Sequence, residues 1–135
     1  MRALIAEVAT RLEPVSWTVY TMAVPKAPAS RYLFVYSGAG VASSDVLSDV
    51  QRFREVVLWV SAVSLNTNPH AAAEEASWGA EHSLGLLLDW RPTTGEMAFP
   101  PTHLSSAPAR RDDDLASTVA YVATDSYLFP IQPGS

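Results

Sequence analysis

The segment Arg54-Glu-Val-Val-Leu-Trp-Val-Ser-Ala-Val-Ser64 constrains the fold more than any other stretch of the chain. Its two alternating sets, Val56/Leu58/Val60/Ala62 and Val57/Trp59/Ser61/Val63, are both mostly apolar. β-branched residues in that number favour a pleated strand. A strand apolar on both faces is central in its sheet, or lays one face on helices and the other on a neighbouring subunit. Just downstream, Asn68 and Pro69 have the chemistry of an N-cap and a first helical residue, and they predict a long helix to about Leu88. Its inward stripe is predicted as Ala72, Ala76, Gly79/Ala80, Ser83 and Leu87, spaced three or four apart. Small side chains on that stripe let the helix lie close to the sheet. Pro92 and Gly95 end it.

The other elements follow from shorter signals. Ala3, Leu4, Ala6, Val8 and Leu12 predict an amphipathic helix that stops before Pro14. Val15, Trp17, Val19 and Thr21 alternate with polar residues and predict a strand; Tyr32–Tyr36 predicts another. Between Gly38 and about Gln51 runs a polar stretch longer than a hairpin needs, which carries Val41, Val46, Leu47 and Val50. Beyond the long helix, Met97–Phe99 and Thr102–Ser105 read as short edge strands, because consecutive prolines such as Pro100-Pro101 cannot sit in a central one. A strand over Thr118–Thr124, continued by a strand-like tail over Tyr127–Ile131, completes the chain. The order predicts a single α+β domain over residues 1–135, with a mainly antiparallel mixed sheet and both helices packed on one face.

Composition closes several doors. The 135 residues carry 14 acidic and 9 basic side chains and no cysteine. That excludes a disulfide framework and thiolate metal sites. A pI near 5.0 argues against gripping nucleic-acid phosphates as the main task. No apolar run approaches the roughly 20 residues needed to cross a bilayer. The N-terminal stretch, broken by Glu7 and Glu13, does not read as a signal peptide. Charge is uneven: six bases and five acids up to Pro69 give +1, and three bases and nine acids from His70 onward give −6. Such polarity suits stacking or ring assembly, and solubility alone also accounts for it.

Each candidate for chemistry has a plainer explanation. Gly38-Ala-Gly40 after a strand begins like a dinucleotide fingerprint, but Ser43 stands where the third glycine is needed. A glycine turn in a loop accounts for it. His70 and Glu74, four apart on the long helix, supply two metal ligands at best, with Glu81-His82 two turns further on; acids and a solvent-facing histidine near a helix start explain the same residues. Arg110, Arg111, Asp112, Asp113 and Asp114 form the densest charge cluster. Three adjacent aspartates in a strand-like segment point apart, so a salt-bridging turn, internal or between subunits, is the better reading than a cation site. There is no Gly-x-Ser-x-Gly elbow, and His82 and His103 have no partner that sequence can place. Aromatics on the strands (Trp17, Tyr20, Tyr32, Phe34, Tyr36, Trp59, Tyr121) suggest an RNA-stacking sheet, but the chain has one lysine and no interleaved bases, so core and subunit interface fit better. No catalytic, cofactor-binding or metal residue is assigned.

The order of elements resembles a known family. A short helix precedes a strand with Pro beyond it, then Arg31-Tyr-Leu-Phe-Val-Tyr36, a long loop, Arg54-Glu-Val-Val-Leu-Trp-Val-Ser-Ala-Val and an alanine-rich helix; Ala109-Arg-Arg-Asp-Asp-Asp-Leu115, a strand and Ser126-Tyr-Leu-Phe-Pro-Ile131 follow. Nearly the whole chain is similar in this way to the tail terminator proteins of long-tailed, siphovirus-type actinobacterial phages. The polar Asn66-Thr-Asn-Pro69 junction departs from the family's glycine-containing turn. The resemblance implies a non-enzymatic virion protein at the tail–neck junction, made in the host cytoplasm. It would form a homohexameric ring on the last ring of the tail tube, stop tube growth and bind the tube protein on one side and the neck or head-completion proteins on the other. DNA would only pass through its lumen, with no specific nucleic-acid binding and no membrane contact. Val41, Val46, Leu47, Val50 and Arg110–Asp114 are the candidate contacts to neighbouring subunits or the neck. The alternatives are a head-closure or neck protein, a small α+β ligand-binding module and a small hydrolase with an unmarked site.

Overall fold

The computed structural model describes residues 2–37, 54–88, 90–92, 101–111 and 120–131. In chain order these form helix α1 (Arg2–Arg11), a 3-10 turn (Glu13–Val15), β1 (Thr18–Thr21), β2 (Arg31–Ser37), β3 (Arg54–Ser64), helix α2 (Pro69–Leu87), β4 (Thr102–Arg111) and β5 (Tyr121–Ile131). The strands make one sheet in the order β1-β2-β3-β5-β4. Only β1 and β2 are parallel; the other neighbours run antiparallel. The α+β class and the mixed, mainly antiparallel sheet match the sequence reading.

β3 is the central strand. It pairs along its whole length with β5, from Arg54↔Ile131 to Ser64↔Tyr121, and with β2 from Arg31↔Ser64 to Ser37↔Leu58. One of its faces, Val56, Leu58, Val60 and Ala62, is buried at 4% exposure or less. Against it lie Leu33 and Val35 of β2, Tyr127 and Phe129 of β5, Leu4, Ile5 and Val8 of α1, Leu12 just after it, and Leu87 of α2. Both helices therefore sit on this face. Arg11 couples their ends: its Nε donates to the Leu86 carbonyl at 2.8 Å, and its guanidinium lies 5.7 Å from the Trp90 ring centre.

α2 starts and packs as its residues dictate. The Asn68 side chain accepts from the His70 and Ala71 N–H groups, and Pro69 occupies the first turn where no donor is needed. The buried residues are Ala72, Ala76, Gly79, Ser83 and Leu87, the predicted stripe. At Gly79 the helix is as close as it can come, since a Cβ there would stand 2.6 Å from the Trp17 ring and 3.1 Å from Ala62 Cβ.

Three boundaries differ from expectation. Val15 belongs to the 3-10 turn, because Pro14 enters that turn and Ser16 closes it at φ 68°, so β1 begins only at Thr18. The strand and strand-like tail predicted near the C-terminus are one strand, β5: pairing with β3 carries it through Asp125 and Ser126. β4 runs on to Arg111 as an edge strand, with irregular register at His103/Ser105 and again across Pro108. The residues expected as a strand at 97–99 lie outside the described part.

Candidate functional site

Of the residues singled out as contacts, only Arg110 and Arg111 are described. They end edge strand β4, both exposed, opposite Val122 and Tyr121, so their side chains leave opposite faces of the sheet. Asp112, Asp113, Asp114, Val41, Val46, Leu47 and Val50 lie outside the described residues, as do Gly38 and Gly40. His70 and Glu74 form a solvent-exposed pair at 3.3 Å on α2. Among the described residues no three His, Asp or Glu side chains come together to hold a metal ion.

The structure does assemble groups that the sequence left apart. On the helix-bearing face of the β4–β5 pair, His103 Nε2 lies 2.9 Å from Asp125 Oδ1, Ser106 Oγ donates to the same carboxylate oxygen, and the hydroxyl is 3.1 Å from the same ring nitrogen. A hydrolytic triad needs both imidazole nitrogens, one on the carboxylate and one on the nucleophile. Here Nε2 faces both partners, and the serine donates to the acid. The arrangement is a polar latch that ties an exposed edge strand to a buried carboxylate. From the other face of the same pair, Ser105 and Ser126 hydroxyls meet at 2.6 Å. Next to Asp125 on the same face, Tyr127 is fully buried and its hydroxyl finds no partner among the described residues. Burial, and secondarily the negative charge of Asp125, push its ionisation well above the ordinary tyrosine range.

A second assembly runs across α2. Glu75 accepts from Ser64 Oγ at 2.6 Å and lies 3.8 Å from Arg31, tying α2 to both β3 and β2. The Arg31 guanidinium stands 5.6 Å from the Trp17 ring centre; Trp17 packs on Trp78 at 5.6 Å, and Trp78 on His82 at 3.9 Å. An Arg-Trp-Trp-His ladder thus climbs from the sheet to the outer surface of the helix. Only the Trp78–His82 step, four apart on α2, is implicit in the spacing of these residues.

The opposite face of the sheet carries no helix among the described residues. Phe34 and Tyr36 stack at 4.7 Å, Tyr36 and Trp59 at 5.8 Å, and Val57, Val122 and Leu128 are half-buried beside them. Ser61 and Thr124 hydroxyls join across β3 and β5 at 2.8 Å. Both edges of this sheet resist extension: β1 has four residues, and β4 combines register breaks with Pro108 and two terminal arginines.

Comparison with solved structures places this architecture. The chain matches one chain of the virion of a native gene transfer agent particle, with a TM-score of 0.64 over 96% of this chain and 94% of that one. The likeness is one of fold. Sequence identity is 16%, so individual side chains do not carry across. No protein-family model matches the chain, and no curated protein matches it.

Proposed function

We propose that the chain is a structural component of a phage-like virion and, more narrowly, a tail terminator. In this role it forms a hexameric ring that caps the tail tube, ends its polymerisation and joins the tail to the neck of the head. The observation that carries the reading is the near end-to-end agreement in fold with a chain of a gene transfer agent virion. The element order that resembles tail terminators supports it from the sequence side. Two features of the molecule fit as well: an aromatic sheet face without a helix layer among the described residues, and a charge split of +1 and −6 between the two parts of the chain. A ring built from such subunits has two unlike faces, and acidic lumen walls would let DNA slide without adhering. Arg110–Asp114 and the stretch from Gly38 to Gln51 are the proposed contacts between subunits.

The test is native mass spectrometry and negative-stain imaging of the purified protein, alone and with tail tubes. The reading expects six-membered rings at one end of tubes of fixed length. Rings that bind neck proteins and ignore tube ends would instead make this a head-closure protein. A monomer that meets neither partner would overturn both.

A further inference from the structure

The molecule has two broad faces of opposite sign. On the helical face, α2 covers β3, β5 and β4, while α1 covers β1 and β2. Two acids on this side are exposed and have no partner among the described residues: Glu81 on α2, and Glu13 in the 3-10 turn that leads into β1. The neighbouring acids are engaged, Glu74 with His70 and Glu75 with Arg31. The open face carries the cations. Arg110 leaves from it at the β4 edge, opposite Val122. At the β1 edge, the 22–30 loop donates its Ala29 N–H to the Tyr20 hydroxyl on this face and carries Lys26. Arg110 and Lys26 are both exposed, again without a partner among the described residues. Between them lie the half-buried rings of Phe34, Tyr36 and Trp59.

We infer that the open sheet face of one copy packs on the helical face of the next, with Arg110 set against Glu81 and Lys26 against Glu13. The places match as well as the signs. Glu81 lines a cleft with Ala109 at the β4 side of the helical face, and Glu13 lies at its β1 side. Copies stacked in one orientation therefore bring β4 of one under α2 of the next, and β1 of one under the α1 side of the next. Complementary charge at two separate places fixes register and identifies the occupant as a second copy. Trp78, packed on Trp17 and His82 yet 43% exposed, adds apolar surface on the helical side. Both sheet edges resist extension, which leaves the faces for contact. Two unlike patches on opposite layers make a head-to-tail interface, the kind that closes a ring. The inference rests on the ring reading and specifies its seam.

Charge reversal tests it by native mass spectrometry, alone and with tail tubes. Arg110→Glu and Glu81→Arg should each raise the concentration needed for assembly by about tenfold or more, because like charges then meet at every seam. Mixing the two variants in equal amounts should restore assembly, since each supplies the sign that the other lacks. All four residues are exposed, and Lys26→Glu with Glu13→Lys repeats the test at the other end of the seam should either first variant fold poorly. Rings formed by every single variant at the wild-type concentration would put the seam elsewhere and overturn the inference while the ring reading stands. Assembly restored only when both changes share one chain, and not by mixing, would make the pair internal and overturn it too. A wild-type protein that assembles under neither condition would overturn both.

Discussion

Two glycines on one helix isolate the cost of close packing. A methyl at Gly79 meets the Trp17 ring at 2.6 and 2.7 Å, and Trp17 cannot swing away because Arg31 and Trp78 flank it. Gly85 has open space where its Cβ would be. Both substitutions to alanine gain about 1 kcal/mol of helix propensity. At Gly79 overpacking of about 1–3 kcal/mol opposes that gain. Urea unfolding should therefore show Gly79→Ala less stable than wild type and Gly85→Ala more stable. Tyr127 makes the converse case. Its buried hydroxyl finds no partner among the described residues, so Tyr127→Phe should be neutral or stabilising by about 1 kcal/mol. The pH dependence sharpens this. With the folded-state pKa raised, the phenol's contribution is whole below its ordinary pKa near 10 and is lost as pH climbs toward the folded value, because the unfolded chain releases its proton first. Above about pH 10 wild type should lose stability faster than Tyr127→Phe, a difference that thermal melts at pH 8 and in the alkaline range would measure.

At the scale of the element, β4 is the part most open to loosening. It lies at the sheet edge, most of its side chains are exposed, and its register is broken twice. The polar latch compensates: Asp125, 5% exposed, receives His103 and Ser106 from one stretch of β4. Asp125→Ala removes the shared acceptor and leaves His103 and Ser106 to each other and to water, at a cost of about 1–2 kcal/mol. Hydrogen exchange should then speed up in β4 while the amides of β3 and α2 keep their ranking among the slowest. Uniform acceleration across the sheet would mean that the carboxylate braces the whole core and not the edge.

For the whole molecule, the predictions concern assembly. If ring contacts use the stretch between β2 and β3, replacing Val41–Asp49 with a short glycine link should leave a folded monomer that no longer forms rings, visible as a single low mass by native mass spectrometry. If the Arg110–Asp114 cluster pairs across the seam, Asp113→Lys together with Asp114→Lys should weaken rings while the subunit melts at nearly the wild-type temperature. One rim pair contributes at most about 1 kcal/mol, but a closed ring repeats it. A double mutant with normal rings and normal neck attachment would reduce the cluster to a solvated turn, and one that unfolds would make it an internal brace.

The local half of this fold was legible from residues. The central strand, the Asn68–Pro69 helix start and the buried stripe of α2 follow from periodicity and capping, which act within a turn or a few residues, and the structure reproduces them. Local chemistry could not decide what long-range pairing decides. Asp125 and Ser126, left between the predicted strand and its tail, join them once β3 and β4 supply ladder partners and hydroxyls. His103 found no partner in sequence because its carboxylate lies 22 positions away on the next strand, in a register that is irregular at that point. The Arg31–Trp17–Trp78–His82 ladder needed α2 laid over the sheet at glycine distance before its rings could meet. Spacing along a chain determines which face a side chain leaves from; only the packed sheet and helices determine what it finds there.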